Sequence, residues 1–493
     1  MKPRGGPLVA NSLRLIFISM RLQILLFLIL LYGSGCATYY QVNQRFNTYF
    51  EQGELEKAEA LLDNNEKVKE GKAKLLYYMN RGLLAAMQGA YEESNRFFEE
   101  AYILGEDLRN NLWNTTASLF TNPNLTYYTG EDHELLLIHY YKALNFLKLG
   151  DHEAALVECR RLNIKLNTLS DKYRSGVLGT HTKYTRDAFI HNLMGIIYEA
   201  DGDYNNAFIA YRNAVEAYRN DYQEMFGLGV PDQLKHDLLH AAYLIGFDEE
   251  LRQYEKEFDM HYQHQSQPEK GELVFFWNNG LGPVKSEWGI TFALIRGEGG
   301  LVTFRNDEFG WSFPFYLEDE EDYEKKGLNK VEFIRVAFPK YVERPLVFHE
   351  GSLKAGNATY PLELGEDVNG IAFRSLQQRM MKEFAISLLR VALKKAAEYS
   401  AREQNEDLGA ILGLVNAVTE KADTRNWQTI PHSIYYTRVP MKAGENDVTL
   451  ELNARQNSVS AQKHTFTFDI KKGETFFYSF HSLKSQPIPG YYY

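Results

Sequence analysis

A chain of 493 residues, 44% hydrophobic and 24% charged, is long enough for roughly two or three domains with real cores. Its formal net charge of -11 excludes a nucleic-acid surface, which needs clustered lysine and arginine. Cys36 and Cys159 are the only cysteines, so at most one intramolecular disulfide is open to the chain, and none if Cys36 is modified.

At the start, Leu22 to Tyr32 reads LQILLFLILLY, preceded by Met20-Arg21 and followed by Gly33-Ser34-Gly35-Cys36. A charged start, a short apolar core and small residues before a cysteine are the layout of an export signal. The apolar run is about half the roughly 20 residues a membrane-spanning helix needs. Gly35-Cys36 resembles the lipobox of bacterial lipoprotein precursors, although Gly33 stands where leucine is usual. The resemblance implies a signal peptide over residues 1–35, diacylglycerol and palmitate on Cys36, and a lipid anchor in a membrane. Met20 makes a cleaner start than Met1. Ala37 follows the cysteine where aspartate would signal inner-membrane retention. By analogy this implies an outer-membrane anchor and a chain facing the periplasm of the cell envelope.

Residues 36–265 read as paired helices. The clearest unit, Arg186 to Tyr218, sets Gly195, Tyr198, Gly202, Ala207, Tyr211 and Ala214 at the spacing of a tetratricopeptide repeat, or TPR. Small Gly195 and Ala207 are expected where two antiparallel helices cross, with Tyr198 and Tyr211 filling the groove and Gly202 turning the chain. The same template places Gly82, Gly89, Phe98 and Ala101 in a second unit. A third has Gly150, Ala155 and Cys159, a free thiol expected as a small buried hydrophobe. Weaker copies surround Gly53 and Gly246. The expected architecture is an N-terminal TPR-like α-solenoid with an open concave face, the usual seat of a protein partner.

Residues 266–493 read as a β-rich domain. Short β-branched and aromatic runs at Leu273–Trp277, Ile290–Ile295, Leu301–Phe304, Trp311–Tyr316, Val331–Phe338 and Pro345–Phe348 are expected strands. A helical block over 373–418 interrupts them, basic on one face and apolar on the other, as a helix packed on a sheet would be. Strand-like runs at Ile434–Val439, Val448–Leu452, His464–Ile470 and Thr475–Phe480 then suggest a C-terminal β-sandwich-like segment. The class is therefore α+β and multidomain.

The strings Asn278 to Lys285, Glu420 to Pro431 and Arg438-Val439-Pro440 resemble an uncharacterised bacterial lipoprotein family with a lipobox, TPR-like helices and a β-rich C-terminal domain. That resemblance implies no agreed activity. Within it, Glu420, Asp423, Arg425 and Trp427 form the most specific polar constellation. They would either grip a charged glycan or peptide group or brace a helix-to-strand turn. Gly280 to Ser286 is no phosphate loop, since Val284 replaces the glycine before Lys285 and Pro283 lacks an amide hydrogen. The acidic run Glu318 to Asp322 lacks the glycine and spacing of a calcium loop. Without HExxH, GxSxG or paired CxxC, no enzyme, cofactor or metal site is expected. The functional expectation is a non-enzymatic scaffold recruiting a protein through the TPR concave face, in envelope or peptidoglycan assembly. The alternative is a glycan-binding or glycan-processing protein acting through the β-rich domain.

Overall fold

Five glycines expected between helices all adopt the left-handed backbone, with φ of 74° at Gly53, 81° at Gly89, 76° at Gly150 and Gly202, and 74° at Gly246. A residue with a Cβ is strained there, so glycine closes each hairpin. The pairs are α1 (41–51) with α2 (Leu55–Asp63), α4 (Lys74–Met87) with α5 (Tyr91–Trp113), and α6 (Asp132–Lys148) with α7 (His152–Arg174). They continue as α8 (Ala188–Ala200) with α9 (Tyr204–Ala217) and α11 (Asp232–Leu244) with α12 (Asp248–Phe258). A short α3 (Glu66–Lys69) follows the first pair, and a π-helical turn (Tyr218–Tyr222) leads into α10 (Gln223–Phe226) before the last. Asp187 and Asp203 begin α8 and α9 by accepting hydrogen bonds from the amides of Ile190 and Asn206, satisfying donors that a helix start leaves free.

This computed structural model describes residues 41–113, 126–174, 186–264, 269–297, 301–316, 332–404, 421–455 and 460–486. The expected signal segment 1–35, Cys36, the acidic run 318–322, Glu420 and the end of the expected helical block lie outside them. Among the described residues no helix is long and apolar enough to cross a membrane.

Among the described residues the second half forms three four-stranded sheets. The first is mixed, in the order β12 (Thr475–Ser482), β1 (Lys270–Asn279), β9 (Ser433–Lys442), β8 (Glu363–Glu366), with β1 parallel to β12 and antiparallel to β9. The second is β11 (Gln462–Ile470), β10 (Gly444–Asn453), β6 (Glu350–Ala355), β7 (Ala358–Pro361). The third is β4 (Trp311–Tyr316), β3 (Leu301–Asn306), β2 (Val284–Arg296), β5 (Phe333–Val342). Its apolar face, with Phe292, Val336 and Phe338, packs on Phe384, Leu388 and Val391 of the long helix α13 (Val368–Gln404).

Two expectations about the fold are corrected. No continuous, open TPR-like α-solenoid is present, because the helix pairs share one hydrophobic core with the β half. Phe98, Tyr140, Tyr141 and Phe189 of the helices lie in the same cluster as Val274, Phe276, Trp427, Ile434 and Tyr436. Nor do the C-terminal strands make a sandwich among themselves. β9 and β12 flank β1 and β10 pairs with β6, so the sandwich joins strands from both ends of the β half. Strand β1 shows why. Its run Leu273-Val-Phe-Phe-Trp277 is wholly buried, with Leu273, Phe275 and Trp277 facing the second sheet and Val274 and Phe276 facing the helices. A strand covered on both faces is apolar throughout rather than alternating. The order of layers is helices, first sheet, second sheet.

Candidate functional site

The helix-pair residues sit at the crossings. Phe98, Ala101, Ala155, Ala207, Tyr211 and Ala214 are fully buried. The Phe98 ring lies where a Cβ on Gly82 would be, and the Tyr211 ring covers Gly195. Tyr211 rather than Ala207 is therefore what Gly195 makes room for. Tyr198 is half-buried, its hydroxyl accepting a 2.9 Å hydrogen bond from Arg160. Cys159 is a buried free thiol, and burial pushes its pKa up.

The first helix of each of the last four pairs turns its inner face to the β half. On α4, Asn80 accepts from the Thr429 hydroxyl at 2.8 Å. On α6, the Tyr140 hydroxyl donates to Asn278 at 3.2 Å, and Glu134 accepts from the Trp427 amide at 2.6 Å. On α8, the Phe189 ring meets those of Phe276 and Tyr436. On α11, the amides of Asp232 and Gln233 reach Glu363. The surface expected to receive a partner is thus filled by the chain's own residues.

Residues 421–432 make the densest part of this contact. Arg425 forks onto Asp423, at 2.8 Å through Nε and 2.6 Å through Nη2, and its Nη1 donates to the carbonyls of Lys72 and Thr126. Asn426 donates to the Pro283 carbonyl and accepts from the Lys285 amide. Trp427 is 0% exposed, its ring packed against the stacked pair of Phe98 and Tyr141. Arg344 ties the Gly282 and Gln428 carbonyls to Glu51 of α1. Asp423, Arg425 and Trp427 therefore meet neighbouring segments of the same chain. Lys285 is equally enclosed, paired with Glu131 and lying over the rings of Tyr128 and Tyr341. Burial lowers the Lys285 pKa and raises that of Glu134.

A second buried node centres on Arg438 of β9. Its guanidinium is bidentate to Glu199 at 2.9 and 3.0 Å and to Glu272 at 2.7 and 3.0 Å, and lies 3.1 Å from Asp237. Three carboxylates around one cation leave an excess of negative charge in a low-dielectric site. Burial accordingly pushes Asp237 up to about 7, against the pull of Arg438. Its Oδ2 has no hydrogen-bond partner among the described residues. Sequence spacing carried no signal for this node, since its members come from α8, α11, β1 and β9.

Among the described residues an open concavity of about 620 Å³ lies between the third sheet, the first turns of α13 and α10. Asp367 starts α13 by accepting from the Gly370 amide at 2.8 Å, and burial raises its pKa. The helix then presents Phe373, Arg374, Gln377 and Met380 to the groove at helical spacing. Trp288, Lys340 and Tyr341 form the sheet wall and Phe226 lies at the α10 end. Sequence reasoning grouped none of these residues, although the aromatic and basic residues of the 373–418 block were on view.

No family model matches this sequence. No curated protein matches it. Among solved structures it is similar to the crystal structure of BtubC (BKLC) from P. vanneervenii, at 15% identity and a TM-score of 0.29, over 47% of this chain and 85% of that chain. A likeness that weak carries no argument about fold or function.

Proposed function

We propose that this protein is a non-enzymatic, lipid-anchored binding protein of the bacterial cell envelope, whose ligand occupies the groove between β2, β5, α10 and α13. The anchor rests on the sequence around Cys36 and on its resemblance to a lipobox. The observation that supports the groove is the filling of the helices' inner face by Trp427, Tyr436 and their neighbours. A protein recruited through that face has to displace the β half. The groove is open and its volume, about 620 Å³, falls within the range of ligand sites.

Two measurements test the reading. Metabolic labelling with a palmitate analogue should mark the wild-type chain and not Cys36→Ala; equal labelling removes the anchor. Crosslinking in intact cells from a photoreactive residue at Gln377 should trap an envelope component that the same residue at exposed Lys463 of β11 does not trap. Identical crosslinks from both positions remove the groove.

A further inference from the structure

We infer that the groove beside α13 takes an anionic glycan, a short chain of pyranose rings bearing a carboxylate; this rests on the reading of the groove as the binding site. The walls carry two kinds of group. Trp288 and Phe373 offer aromatic surface, and Phe373 is 38% exposed, unusual for a ring of that size on a packed helix. Sugar rings present apolar C–H faces that pack on such surfaces. Lys340 and Arg374 supply positive charge from opposite walls. Among the described residues neither has an acidic partner. Arg374 bonds only Gln377, and its Nε is buried without a hydrogen-bond partner.

Arg374 is half-buried on the groove wall, where a cation without an acidic partner can pair with an incoming carboxylate. This local excess of cations stands in a chain with a net charge of -11, so it does not follow from overall composition. Asp367 does not cancel it, because its carboxyl is turned to the Gly370 amide and burial favours its neutral form.

An acidic peptide fits the walls less well. The bordering strand β5 is an edge strand, but Pro339 lacks the amide hydrogen that an added peptide strand would use. Polar Arg374 and Gln377 interrupt Phe373, Leu376 and Met380 along α13, where a docked amphipathic helix needs a continuous apolar trench.

The test uses the full-length chain in detergent and isothermal titration with three probes: a disaccharide of N-acetylglucosamine and N-acetylmuramic acid with its free carboxylate, neutral chitobiose, and an acidic heptapeptide. The acidic disaccharide is expected to bind at least about tenfold more tightly than chitobiose, with an affinity that falls as salt rises. Arg374→Gln and Lys340→Gln should each remove most of that difference, and Arg374→Lys should restore part of it, with unchanged melting temperatures. Equal binding of both sugars, lost in Phe373→Ala, overturns the anionic preference and leaves the groove as the site. Sugar binding unaffected by every groove variant overturns the groove itself. Preference for the heptapeptide overturns the glycan assignment.

Discussion

At the scale of single residues, Asp237 is one of several buried acids that desolvation tilts toward the neutral form, with Glu134 and Asp367. Asp237 is pushed up to about 7, well above the ordinary carboxylate range near 4. Between those values the folded chain binds a proton that the unfolded chain has released, so this group's contribution is full at low pH and declines as pH rises. Asn at this position keeps the acceptor used by Gln233 and Arg438 and cannot ionise. Relative to Asp237→Asn, the wild type should lose stability between about pH 4 and about pH 7 and then level off. Parallel denaturation curves across that range would place the proton elsewhere. Trp427 poses a simpler case. Truncation to alanine empties the space beside the stacked Phe98 and Tyr141 rings and should cost about 3–5 kcal/mol by chemical denaturation. Trp427→Phe should cost less, because the indole N–H has no partner among the described residues. A loss below about 1 kcal/mol for the alanine variant would mean that the site collapses around it. Asp423, Arg425 and Trp427 were legible as a constellation because they fall within five residues of chain. The Arg438 node was not, because its partners Glu199, Asp237 and Glu272 meet only through the fold.

At the scale of elements, legibility followed periodicity and length. Helix pairs were readable because apolar spacing, small crossing residues and turn glycines all recur, and positive φ at the five turns follows from that chemistry. Strands β6, β7 and β8 escaped notice. Their sequences EGSLKA, ATYP and ELGE are short and lack the run of β-branched or aromatic residues that marks β1. Conversely, Pro345 to Phe348 reads as a strand but forms only an isolated bridge from Leu346 to Ser485. The crossing at Gly195 gives the sharpest test of the pairs. A methyl group there overlaps the Tyr211 ring, whose hydroxyl donates to Glu199 at 2.6 Å. Gly195→Ala should therefore cost about 1–3 kcal/mol, as overpacking does. It should also weaken the coupling between Tyr211 and Arg438, read by a double-mutant cycle with Tyr211→Phe. A neutral Gly195→Ala would show that the ring moves freely, and with it the order of the α8–α9 crossing.

At the scale of the whole molecule, a helical half followed by a β half in sequence does not mean two independent bodies. Sequence patterning tells which face of a helix is apolar, but not whether a neighbouring repeat or a distant strand covers it. Here strands cover it, and the charges follow the same plan. Glu199 and Asp237 on the helices find their cation in Arg438 of β9, and Glu131 finds Lys285 of β2. Cutting after residue 265 would expose Tyr140, Tyr141 and Phe189 and strip those acids of their partners, which is costly for groups shaped to be buried. The two halves should consequently unfold together. Calorimetry of residues 36–493 is expected to give one transition for residues 41–486 with a van't Hoff enthalpy close to the calorimetric one. The isolated segment 36–265 should retain helical circular dichroism yet melt broadly and associate, because its inner face then presents an apolar patch to water. Substituting Arg438→Met in the intact chain should lower the single transition by several degrees without splitting it. Two separated transitions, or a sharply melting monomeric helical fragment, would mean that the helices carry a sufficient core of their own and that the β half is a removable occupant of their inner face.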